Sequence, residues 1–357
     1  MSKDKFEFNG LATAIGSMPH INPQEACSLV LTHLPEIPAW PQLPRRTFVE
    51  NMYFQFRPSF LPRLHEEADG TMYVDSDLSR DITRELSEDL EQLYQDDLKN
   101  DFGNYEIKED RRAGFDVFLE YLQEKADHPM AVKGQVTGPI SMGLKITDSN
   151  LRPVLYNDTV ADALARHLKL MAAWQDKALS AVCPKTIISV DEPYLASMGS
   201  AFVSFPREQV VSLLEEVLEG ISGLKAVHCC GNTDWSVLLQ TSIDILSFDA
   251  YNYGETISYY PSEVKSFISR GGVIAWGIVP NDEQSLSRET GTSLLSRLDE
   301  MMELLAKKGI GYDILQSQCL ITPSCGLEPL SPEVAEKALE MTAKVSAEFR
   351  KRHHGLN

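Results

Sequence analysis

The sequence is poor in positive charge, in cysteine and in long apolar runs, and each shortage excludes something. Lysine and arginine number 33 against 52 aspartates and glutamates, a formal balance of −19 at pH 7. So acidic a chain offers no basic face for phosphate, so neither nucleic acid nor an acidic membrane surface is an expected partner. No run approaches the roughly 20 apolar residues that span a bilayer. The opening "MSKDKFEFNG" lacks the apolar core of an export signal. The expectation is a cytoplasmic protein. Its six cysteines, Cys27, Cys183, Cys229, Cys230, Cys319 and Cys325, are too sparse for a disulfide scaffold. In a reducing compartment they are core thiols or metal ligands. Low-complexity runs and Gly/Ser linkers are missing too, so residues 1–357 read as a single domain.

What is present is a core and a repeat. Hydrophobic residues make up 43% and charged residues 24%, normal for a globular chain with a real interior. Short apolar runs recur: "ATAIGSMP", "PMAVKGQVTGP", "TIISVDEP", "LKAVHCCGN", "IDILSFDAY", "GVIAWGIVP" and "CLITPSCG". Between them lie stretches such as "VADALARHLKLMAAWQDKALSAV" and "LLSRLDEMMELLAKKG", apolar at every third or fourth position, the mark of one-faced helices. Strand then helix, repeated, gives a parallel sheet covered by helices. Seven strands are evident, and an eighth falls within 36–48, where the prolines of "PAWPQLP" weaken the signal. Eight repeats close a (β/α)8 barrel, and 357 residues suit one such barrel with insertions. The rival is an open doubly wound sheet, but no glycine-rich phosphate fingerprint follows the first run. Residues 57–105 break the repeat and read as an insertion, a hairpin plus the acidic helix "RELSEDLEQLYQDDL", its charges a solvated face.

In such a barrel the residues ending the strands face the active site. The first run supplies Gly16, Ser17 and, just beyond, His20; later runs supply Gln135, Thr137, Asp191, Glu192, His228, Cys229, Cys230, Asp249, Ser324 and Cys325. Alternate side chains of a strand share a face, so His228 and Cys230 point together and Cys229 points away. Cys325 ends the last strand, which neighbours the first in a closed barrel, and can reach across the mouth. Two thiolates and an imidazole suit zinc. The fourth position falls to an oxygen, with Asp249 the candidate, or to a substrate.

The pieces "TAIGSMP", "GQVTGPIS", "ISVDEP", "VHCCGNTDW", "DILSFDA" and "ITPSCGL" occur in this order over most of the chain. Together they resemble the catalytic barrel of cobalamin-independent methionine synthases and the zinc methyltransferases of the uroporphyrinogen decarboxylase-like superfamily. The resemblance implies a (β/α)8 barrel with one zinc held by His228, Cys230 and Cys325. Asp249 stands where those synthases have a glutamate ligand, a shorter side chain in its place. Ile15, Gly16 and Ser17 match the stretch that binds the homocysteine carboxylate. Asp191 matches the acid that binds its ammonium group, and Glu50 of "VENMYF" is set against a second such acid.

Two departures bear on the methyl donor. A chain of this length has no room for the additional N-terminal half of the full-length synthase. The folate-using enzymes also carry a histidine after the seventh strand that protonates the leaving amine, whereas "WGIVPNDEQS" has none. Aromatic residues for stacking on a pterin are missing from "ISMGLKITDSN" as well. A corrinoid leaving group needs no proton. The expected donor is therefore a methyl-corrinoid (methylcobalamin on a partner protein) and the expected acceptor homocysteine. His20 is the one residue that could supply the acid from another direction. The alternatives are coenzyme M or another thiol as acceptor, a uroporphyrinogen decarboxylase-like lyase, and a non-catalytic corrinoid- or thiol-binding barrel.

Overall fold

The computed structural model describes residues 7–61, 63–77, 87–124, 128–198 and 205–355. Every apolar run becomes a strand, because each is rich in β-branched, aliphatic or aromatic residues, and most are closed by glycine or proline. The strands are β1 (Leu11–Ala12), β2 (Leu64–Glu66), β3 (Met72–Val74), β4 (Val132–Thr137), β5 (Ile146–Thr147), β6 (Thr186–Asp191), β7 (Leu224–Cys229), β8 (Ile245–Phe248), β9 (Val273–Val279) and β10 (Cys319–Pro323). Seven form one parallel sheet in the order β1-β10-β9-β8-β7-β6-β4.

The sheet curls, and the segment 36–42 lies between its two edge strands. Lys133 N donates to Pro38 O at 2.9 Å and Trp40 N to Lys133 O at 3.2 Å on the β4 side. On the β1 side Gln42 N donates to Gly16 O at 3.1 Å and Met18 N to Gln42 O at 2.9 Å. These contacts are isolated bridges rather than a ladder. The sequence explains why: Pro38 and Pro41 have no N–H to donate, so a regular ladder cannot form through "PAWP".

Helices follow the strands and pack outside them. Asp158–Ser180 packs on β4 and β6, and Pro332–His354 packs on β10 and β1. Asn157 and Ser331 cap their first turns by accepting the N–H of Val160 and Val334.

The inner face of the sheet is layered. Near the strand starts it is apolar: Leu11, Ile37, Ala131, Ile187, Ala226, Ile245, Val273 and Leu320 form one buried cluster. Alternation then carries Thr13, Lys133, Ser189, Ser247 and Thr322 onto the same face further along. The polar groups thus gather towards the strand C-termini, where the chemistry is expected.

In the region 57–105, β2 pairs antiparallel with β3, and β5 adds to β3 in parallel. A helix, Ser87–Lys99, follows. Its acidic run is not simply solvated. Asp96 and Asp97 are buried, and Asp97 pairs with Lys169 at 2.9 Å and with Arg166. The run looks like a free charged face in sequence because its partners lie some 70 residues away, on the helix Asp158–Ser180.

Candidate metal centre

β7 delivers the centre. In its parallel register His228 lies beside Asp191 of β6 on one side and Ser247 of β8 on the other. The chain leaves the sheet at Cys229, and Cys230 opens the turn. That turn packs tightly on the short helix Pro193–Ser197, where a Cβ on Gly231 would lie 2.4 Å from that of Ala196. Any larger residue there would push Cys230 away.

The ligand atoms of His228, Cys230 and Cys325 lie within 4.8 Å of one another. Cys229 is fully buried on the other side of the strand, its thiol donating to Gly231 O at 3.4 Å, and burial pushes its pKa up to about 12. His228 Nδ1 meets Ser247 Oγ at 2.9 Å. Its Nε2 is buried with no hydrogen-bond partner. One ring nitrogen is thus oriented by a second group, while the other is buried without a hydrogen-bond partner beside two thiols. This is how a metal-binding histidine is held. The two thiols act on each other. Cys230 is drawn down to about 4, first by the hydrogen bond from Cys325 and then by His228, against its burial. Cys325 is driven up by the same contact and by burial. The set fits a thiophilic ion such as zinc.

The centre lies at a cavity of about 210 Å³, walled by Ile15, Ser17, Asp191 and Glu50 among others. Gly16 stands between Ile15 and Ser17 at φ +145°, and a Cβ there would lie 2.5 Å from the Gln135 amide. Only glycine lets the β1 end bend against that side chain. Asp191 accepts from Ser189 Oγ at 2.7 Å, and burial raises its pKa against the pull of Lys133 and His228. Glu50 is fully buried and paired with Arg46, with Oε2 left unpartnered, and burial raises it too. No lysine or arginine is among the lining residues.

Two expected residues stand apart. Asp249 does not join the three ligands. Its Oδ1 accepts Asn252 N at 2.9 Å and its Oδ2 accepts Asn252 Nδ2 at 2.7 Å, so both oxygens cap the short helix Ala250–Tyr253. An aspartate at a helix start meets its own backbone before it can reach the centre. His20 is buried outside the cavity lining, its pKa lowered by burial and opposed by Glu25, Glu336 and Glu333.

Sequence reading missed three residues. Asn281 lines the cavity and donates to Gly326 O at 3.2 Å, tying the loop after β9 to the one carrying Cys325. Gln42 lines it from the broken strand. Lys133 lies within an apolar run, and a lysine inside "PMAVKGQVTGP" was the available signal.

The class of fold is that of a parallel α/β sheet curled around a site at its C-terminal edge. No protein-family model matches the sequence. Among solved structures, the chain resembles a B12-independent methionine synthase from Shewanella sp. W3-18-1, in complex with selenomethionine. The match has 16% identity, a TM-score of 0.57, and coverage of 97% of this chain and 99% of that one. The two share a fold from end to end. A methyltransferase from Methanosarcina mazei overlaps more loosely: 14% identity, TM-score 0.43, 65% of this chain and 63% of that one. Among curated proteins, 240 residues are 26% identical to a transferase of Thermotoga neapolitana. It is named a UDP-N-acetylglucosamine--N-acetylmuramyl-(pentapeptide) pyrophosphoryl-undecaprenol N-acetylglucosamine transferase, and the match spans 62% of this chain and 68% of that protein.

Proposed function

We propose that the protein transfers a methyl group to the sulfur of a small amino-acid thiol, with homocysteine as acceptor and methionine as product. The observation that carries this is a meeting in one small cavity: two thiols and an imidazole share its wall with two buried acids. In this reading His228, Cys230 and Cys325 hold one zinc. When bound, zinc would keep an acceptor thiol deprotonated at neutral pH, where a free thiol near pKa 8.5 is mostly protonated. Asp191 and Glu50 receive the ammonium group, and the Ile15–Gly16–Ser17 turn receives the carboxylate. Three protein ligands leave a coordination position open, as a reactive site requires and a structural one does not. We also read residues 1–357 as one (β/α)8 barrel, with the segment 36–42 completing the ring.

The donor in this reading is a methyl-corrinoid, carried by a partner protein. The stretch 276–285 places no acid on this cavity to protonate a folate amine. Asn281 is a neutral amide, Asp282 is engaged in capping Ser285 N at 2.8 Å, and Glu283 lines a different pocket. Three rival readings fare worse. A polycarboxylate tetrapyrrole or a sugar diphosphate asks for cations, and none lines the cavity. A thiol without an amino group, such as coenzyme M, leaves the two acids without a partner.

The test is methyl transfer by zinc-loaded protein to homocysteine, with methylcobalamin and methyl-tetrahydrofolate offered in parallel. Methionine should form with the first donor and not the second. Turnover with methyl-tetrahydrofolate alone would overturn the donor assignment, and transfer with neither donor would overturn the reaction.

A further inference from the structure

Lys133 has no place in the chemistry described so far, yet it is a lysine inside the barrel. It sits on β4, is 4% exposed, and faces inward beneath the cavity. Burying an ammonium group is costly unless it is paired and hydrogen-bonded. Its Nζ donates to Ile15 O at 2.6 Å, across the interior from its own strand. Ile15 is the residue that leads into the Gly16–Ser17 turn on the cavity wall.

We propose that Lys133 is a positioning residue that sets the carboxylate-recognition turn of the amino-acid subsite. The proposal rests on the reading that the acceptor is an amino-acid thiol. On one wall the lysine fixes the Ile15–Gly16 peptide. In a trans peptide the C=O and the N–H point in opposite directions. Holding Ile15 O down towards the lysine turns the Gly16 N–H up towards the cavity, where an α-carboxylate would accept it. The ammonium group below the floor therefore orients a donor for the substrate's negative end. It touches neither the metal ligands nor the reacting sulfur. That distinguishes it from Asp191, which faces the substrate itself.

The test uses the zinc-loaded full chain and two acceptors, homocysteine and 2-mercaptoethanol, which has neither the amino nor the carboxyl group. Lys133→Met keeps the length and removes the charge. It should raise KM for homocysteine by roughly tenfold or more, the scale of one charge-assisted hydrogen bond. KM for 2-mercaptoethanol should change less than about threefold, and zinc content should not change. Equal loss with both thiols would show a merely structural lysine and overturn the proposal, as would an unchanged KM for homocysteine. Should Lys133→Met fail to fold, Lys133→Leu, which likewise removes the N–H donor, carries the same comparison. If the wild type methylates no thiol, the functional reading fails by itself. The lysine is then judged by calorimetric binding of the two thiols, where loss of the preference for homocysteine in the variant supports it and retention overturns it.

Discussion

Replacing Cys325 with serine removes one ligand and little else, and the size of the loss can be estimated. A structural zinc site of four ligands binds with about 10–16 kcal/mol at neutral pH. Shared evenly, that is roughly 2.5–4 kcal/mol per ligand, or a loss in affinity on the order of 10²- to 10³-fold. Serine does not recover the loss, because its hydroxyl stays protonated near neutrality and is a hard oxygen where a soft thiolate stood. The pair also loses its internal contact, since the Cys325 thiol is the largest influence lowering the pKa of Cys230. The fold should survive, because the core is built from the buried strands and helices and not from this loop. The assay is zinc per chain after dialysis against a competing chelator, with the apparent Kd from chelator competition and a melting curve as control. Wild type should keep about one zinc and Cys325→Ser should keep little. Cys229→Ser should behave as wild type, since its thiol lies on the other side of the strand. A Cys325→Ser variant that binds zinc as tightly as wild type would refute the assignment of this centre.

Three further outcomes are expected. Asp191→Asn should weaken homocysteine use by roughly one to two orders of magnitude, the worth of a charge-assisted hydrogen bond, and leave zinc content unchanged; the same loss with 2-mercaptoethanol would contradict this role. Asp249→Ala should keep its zinc while losing about 0.5–2 kcal/mol of stability in urea unfolding, as for any lost helix cap; loss of zinc would make Asp249 a ligand after all. His167 is buried against Phe60 and Tyr105, and burial lowers its pKa to about 4 from 6.5. The unfolded chain therefore binds the proton first, and stability falls as pH drops from 6.5 towards 4, by roughly 2–3 kcal/mol at pH 4.5. Glu192, raised to about 7 from 4.5 by burial, works in the opposite sense, losing stability as pH rises through that window. The comparison is therefore between wild type and His167→Leu, and identical pH slopes in urea unfolding would remove His167 from the account.

The parallel strands were legible because each is buried on both faces and so appears as an unbroken apolar run. The segment 36–42 was only half legible. Its prolines remove the ladder that defines a strand, yet the N–H groups of Trp40 and Gln42 still bond to either side. The acidic helix misled for a different reason. Charge along a helix says nothing about a partner far away in the chain, and Lys169 and Arg166 meet Asp97 only in the folded molecule. Asp249 shows the limit of reading strand ends by residue type alone. A carboxylate ending a strand also begins a helix, and the local backbone N–H competes for its oxygens before any distant ligand set can.

The deeper regularity lies in the direction of the polarity. Every inward position near the strand starts is apolar, and the ionisable ones come later: Lys133, then Asp191 and His228. A barrel packed with polar groups along its whole length would carry many unsatisfied atoms. One packed with apolar groups throughout would have nowhere to hold a metal or an ion pair. Confining the polar groups to the last layers lets the lower half supply stability, while the upper half tolerates costly burial. The cost is visible in the raised pKa of Asp191 and the lowered one of Lys133, about 8. Each opposes the other's shift. Asp191 and His228 lie side by side in register on neighbouring strands. In the proposed reading, a substrate anchored on that carboxylate would be delivered beside the imidazole, and position along two neighbouring strands would decide where its sulfur arrives.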